Sequence, residues 1–96
     1  MTDQRIHELK TWPVYYRAIL SGEKTFEIRY DDRSYEQGDL LHLMEWSPFG
    51  TLESGRGDYT GRHLCVKVIF VLRDGPGLLP NWVAMSIRRV NAVSDP

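Results

Sequence analysis

Between residues 22 and 29 the chain reads Gly-Glu-Lys-Thr-Phe-Glu-Ile-Arg, which sets three ionisable groups of different chemistry close together. Lys24 is a movable ammonium donor, Arg29 a rigid fork matched to carboxylate or phosphate, and Glu27 an acceptor suited to an amino or hydroxyl group. Converging on one small surface, they would grip a nucleobase, a ribose or a phosphate. The plainer alternative is a solvated strand face, where exposed charges contribute little. With Glu27 as general base on a water and Lys24 stabilising the oxyanion, the same groups would support hydrolysis.

Other residues extend this set. Lys10 and Trp12 flank the start of the first helix, the lysine suited to a phosphate and the indole to stacking on a base. Arg33 is a further phosphate candidate, and Trp46, beside Glu45 at a strand end, is placed to wall a pocket. His7, His42 and His63 are scattered in sequence and read as surface or structural residues rather than an acid–base pair. Lys67 reads as an exposed rim residue, and Arg88 with Arg89 as a small solvated basic patch.

The elements that position these groups follow from periodicity. Arg5 to Lys10 alternates as a short opening strand. Thr11 is placed to cap a helix over about Trp12 to Ser21, with Pro13 in its first turn and Gly22 after its last. Its apolar stripe is Val14, Tyr15, Ala18 and Ile19. The period then becomes two, with Phe26, Ile28 and Tyr30 expected inward and Thr25, Glu27 and Arg29 outward.

Gly38-Asp39 precedes a strand over Leu40 to Trp46, apolar enough to be covered on both faces. Ser47 to Tyr59 reads as an exposed, mobile loop. Leu64 to Leu72 has the strongest strand pattern and is expected at the centre of the sheet, with Leu64, Val66, Val68, Phe70 and Leu72 on one face. Trp82 to Val90 reads as the last strand, and Asn91 to Pro96 as a fraying tail.

At 96 residues, 42% hydrophobic and 26% charged, the chain has the makings of one globular domain with one modest core. About five strands and one main helix make it an α+β protein, and partial closure into a small barrel would remove unpaired edges. The net charge of −1 excludes a global basic field, so nucleic-acid contacts must be local. The single Cys65, the lack of a Cys/His metal pattern and the lack of a long apolar run point to a cytoplasmic protein without disulfide, metal, cofactor or membrane partner.

The pattern Gly22, Lys24, Glu27, Arg29, preceded by a helix and followed by Gly38-Asp39, resembles the ASCH (activating signal cointegrator homology) superfamily of the PUA-like β-barrel class. His7-Glu8-Leu9-Lys10, Asp32-Arg33, Glu45-Trp46 and Tyr59-Thr60-Gly61-Arg62 resemble, more closely, a small bacterial and phage branch classed as a domain of unknown function. The resemblance implies a PUA-like mixed β-barrel, with one main helix packed against it and a cleft between helix and strands, and it implies RNA or a modified nucleoside as partner. Some ASCH relatives are amidohydrolases acting on N4-acylated cytidine through a threonine, a lysine and a glutamate. Here Lys24 matches the lysine, but Glu27 stands where those enzymes have their threonine nucleophile. Ribonuclease activity has also been ascribed to ASCH domains. The leading expectation is therefore a binding module with Lys10, Trp12, Lys24, Glu27, Arg29, Arg33 and Trp46 at its site, and the alternative is a small hydrolase using Lys24 and Glu27.

Overall fold

The two most apolar strand segments of the chain are neighbours near the middle of its sheet, and the remaining elements arrange themselves around them. The computed structural model describes residues 4–50 and 55–90. In chain order they form β1 (Ile6–Thr11), α1 (Pro13–Leu20), β2 (Phe26–Tyr30), β3 (Leu40–Ser47), β4 (Asp58–Arg73) and β5 (Trp82–Arg89). The spatial order is β1-β3-β4-β5-β2, so β4 is central and β1 and β2 are the two edges. Only β1 and β3 run parallel; the other neighbours are antiparallel. The sheet curls into a half-barrel.

Leu9, Leu41, Leu43, Val66, Val68 and Met85 point into the concave side and form the core with Tyr16 and Ile19 of the helix. β3 has no exposed residue, as its two-sided apolar pattern requires. The face of β4 changes partway along. Its register with β5 shifts between Val68 and Phe70, so Val71 packs on the core while Phe70 and Leu72 turn outward. A one-residue bulge reverses every later side chain of a strand, which strict alternation from Leu64 to Leu72 does not anticipate.

The helix also departs from expectation. Thr11 is the last residue of β1 and makes no cap; Trp12 occupies the N-cap position without a side-chain bond, and Pro13 opens the helix. The buried helix residues are Tyr16 and Ile19, whereas Val14 and Tyr15 are exposed. The eight-residue helix is anchored by one i, i+3 pair; Tyr15 and Ala18 line a cleft, while Val14 and Leu20 are exposed away from it. Gly22, at φ 88°, takes the left-handed turn that ends it.

Pairing of Ser47 with Asp58 and of Trp46 with Tyr59 shortens the expected loop from both ends. Residues 51–54 of that loop and the tail from Asn91 lie outside the described residues. No helix among the described residues is long and apolar enough to cross a membrane.

Candidate functional site

β2 is turned the opposite way from the orientation its alternation suggests. Glu27 is buried at 4% exposure, while Phe26, Ile28 and Tyr30 remain about half exposed, at 47%, 50% and 50%. The reason lies in the counter-ions. Lys24 donates to Glu27 Oε1 at 2.5 Å, and Arg29 Nε donates to Glu27 Oε2 at 2.8 Å, so one carboxylate is held between two cations. A charge that enters the concave side with its partners avoids the penalty that excludes a lone one. Lys24 is itself fixed by the turn after α1, where its backbone N–H donates to the Ala18 carbonyl at 2.9 Å. Its ammonium also donates to the Phe26 carbonyl and lies 4.8 Å from the Phe26 ring centre and 5.7 Å from that of Tyr15.

The two edges of the sheet face the same cleft. In β1 the ladder to β3 begins with Leu40 N–H donating to the Arg5 carbonyl. Alternation along a strand then directs the backbone groups of Glu8 and Lys10 towards the open edge. Arginines satisfy these carbonyls: Arg29 donates to Lys10 O at 3.0 Å and Arg33 to Glu8 O at 3.2 Å. The half-barrel is therefore laced across its gap by side chains instead of a strand pair. Arg33, a candidate phosphate contact by sequence, is committed to this seam and lies 3.9 Å from Asp32.

The cleft has a volume of about 1090 Å³, at the upper limit of the roughly 300–1,000 Å³ common for small-ligand sites. Lys10, Trp12, Lys24, Glu27, Arg29 and Arg33 all line it, so six of the seven residues singled out by sequence come together. Trp46 does not line it; its ring supports the Lys10 ammonium, 4.6 Å from the ring centre. Glu8, Glu23, Glu27 and Asp32 balance the four cations, leaving a formally neutral cleft. Its exposed walls are aromatic, with Trp12 at the helix N-cap, Tyr15 from the helix, and Phe26 and Tyr30 from β2.

A second buried carboxylate escapes the sequence reading of the site. Glu45, 3% exposed, accepts from Arg62 Nε at 2.8 Å, from Arg62 Nη2 at 3.1 Å and from Thr60 Oγ1 at 2.7 Å. The Arg62 bonds, aided by Thr60 and against the opposing effect of burial, hold its carboxyl below the usual value. Arg62 also stacks over Tyr16, whose phenol is raised by burial. The available signal was Glu45 falling in phase with Leu41 and Leu43 on the inward face of β3.

The histidines separate into two environments. His7 is buried and donates to Asp39 Oδ2 at 2.9 Å, a structural contact beside Tyr35. His42 and His63, apart in sequence, meet across β3 and β4 with ring nitrogens 2.9 Å apart, and neither lines the cleft. Among the described residues no group of three or more His, Cys, Asp or Glu is placed to hold a metal ion.

Comparison with known proteins gives two matches. The family described as "Domain of unknown function (DUF3850)" matches residues 6–87. An uncharacterized 12.9 kDa protein from the GpA 3′ region of Escherichia phage P2 is 38% identical over 64 residues. Those residues make up 67% of this chain and 51% of the phage protein, so the match spans about half of that relative's length.

Proposed function

The chain belongs to the DUF3850 family, and from that premise we propose that it is a nucleoside- or RNA-binding module of the PUA-like ASCH kind. Its ligand site is the cleft between α1 and the two sheet edges. The observation that carries this reading is the composition of the cleft: exposed aromatic walls over a polar floor whose charges cancel. A neutral, flat, hydrogen-bonding ligand suits such a site, and a nucleobase has that chemistry. A phosphate-rich ligand suits it less, because Arg29 and Arg33 already serve Glu27 and the β1 carbonyls.

A base entering between Trp12 or Tyr15 and Phe26 would lie over the Lys24–Glu27 pair, which offers a donor and an acceptor side by side. Hydrolysis by Lys24 and Glu27 has weaker support. Both carboxylate oxygens of Glu27 already accept from cations, which lowers their capacity to take a proton from water.

A short RNA carrying one N4-acetylcytidine tests the reading. After incubation with the wild-type protein, native mass spectrometry should detect the complex, and denaturing analysis should return the RNA at unchanged mass. Loss of the acyl group or strand scission, absent with Lys24→Ala, would overturn the binding module in favour of the hydrolase.

A further inference from the structure

Six of the described cations, Arg5, Lys24, Arg29, Arg33, Arg62 and Arg73, are each ion-paired with a carboxylate. The end of the β4–β5 ladder is different. Lys67 and Arg88 stand directly opposite one another in register, both exposed, and neither has an ion-pair or hydrogen-bond partner among the described residues. Like charges directly opposite each other destabilise a strand pair. Arg89, next in the chain, donates to the Leu20 carbonyl at 3.3 Å, where the helix C-terminus accounts for it. Nothing among the described residues accounts for the Lys67–Arg88 pair.

The next outward residue of β5 is Ser86, which is in register with Phe70 of β4 on one side and Phe26 of β2 on the other. Both rings are exposed, Phe70 at 58% because the bulge has turned it out of the core. Phe26 is also a wall of the cleft. Cations and exposed aromatic rings therefore occupy neighbouring rows on one sheet face, and that face leads to the cleft rim.

We propose that the outward face of β4, β5 and β2, from Lys67 and Arg88 past Phe70 to Phe26, is a track for single-stranded RNA. Lys67 and the Arg88 fork contact phosphates, and a base stacks on Phe70. This inference rests on the reading of the cleft as a base pocket only in its choice of RNA. An acidic protein segment would complement the charges but would leave the two separated, outward-turned rings without a role.

The experiment pairs anisotropy titrations of an RNA of about 12 nucleotides, long enough for a single-strand site, with calorimetry of a free nucleoside. Three proteins are compared: wild type, Lys67→Gln/Arg88→Gln and Phe70→Ser. For wild type, log affinity for the RNA should fall with log salt at a slope of about −1.4, from two phosphate contacts on a single strand. The double variant should lose about tenfold in RNA affinity at low salt, with a slope near zero. Phe70→Ser should lose at least about fivefold, the lower end for one stacked base, with the slope unchanged.

Nucleoside affinity should be the same in all three proteins. As a folding control, Arg88→Glu converts the like-charge pair into an attractive one, and it should raise the melting temperature while abolishing the salt-dependent component. RNA affinity and slope unchanged in both the double variant and Phe70→Ser would overturn the track. Absence of nucleoside binding, with these RNA effects intact, would overturn the cleft reading and leave the track standing.

Discussion

Replacing Glu27 with alanine should be among the most damaging single changes in this protein. The side chain is buried and is the counter-ion of both Lys24 and Arg29, whose side chains are 15% and 25% exposed. Removing one member of a buried ion pair costs about 3–5 kcal/mol, because the remaining charge is left uncompensated. Here two cations are left, but both retain some access to water, which brings the expected loss to about 2–4 kcal/mol. For a domain of this size, about 4–8 °C per kcal/mol, that is a fall in melting temperature of at least roughly 8 °C.

Lys24→Ala should cost less, about 1–2 kcal/mol, since Glu27 keeps Arg29. Arg29→Ala should fall between them, because it also frees the Lys10 carbonyl at the sheet edge. Urea and thermal unfolding of the three variants measure the order directly. A Glu27→Ala protein within about 0.5 kcal/mol of wild type would mean that Glu27 is not the buried counter-ion of these cations, since that is the behaviour of a solvent-facing position.

Acid should weaken the fold through Glu45 and Asp31. Burial alone would raise the Asp31 carboxyl, but bonds from the Tyr35 N–H and Arg73 bring it below its ordinary value, while Arg62 lowers Glu45. Folded-state values below the unfolded ones mean that this stability is complete above about pH 4.5 and is lost as pH falls through the lowered values. Urea unfolding across that range should therefore show a decline, and Glu45→Gln should make it shallower. Arg33→Ala should speed hydrogen exchange along β1 relative to β4, because the Glu8 carbonyl loses its only described side-chain donor and the seam loosens. Gly57→Ala should alter near-ultraviolet circular dichroism, since a Cβ there overlaps the Trp46 indole that supports Lys10. His42→Ala/His63→Ala should leave nucleoside affinity unchanged, because that pair lies outside the cleft.

Local patterns in the chain identify the strands well, because LLHLMEW and LCVKVIF are apolar enough to leave few alternatives. They are less informative about which face of an edge strand turns inward. In β2, alternation separates Glu27 and Arg29 from Phe26, Ile28 and Tyr30, and hydrophobicity alone assigns the aromatic side to the core. The opposite orientation is selected by Lys24, a residue outside the strand, and by backbone carbonyls of β1, which sequence spacing cannot place. Phe70 shows the same limit, since a single bulge changes its face. The membership of the site was more accessible than its geometry. Lys24, Glu27 and Arg29 are close in sequence, whereas Glu45 and Arg62 meet only through the β3–β4 pairing.

Whether the cleft holds a base is tested by a two-dimensional NMR titration of the wild-type protein with the four common nucleosides and N4-acetylcytidine. A base-binding cleft gives saturable shifts for at least one of them, concentrated at the Trp12 indole and the backbone of Lys24 to Arg29, and lost in Trp12→Ala. A folded protein with no saturable shifts at millimolar nucleoside, or with shifts confined to residues outside the cleft, would contradict it.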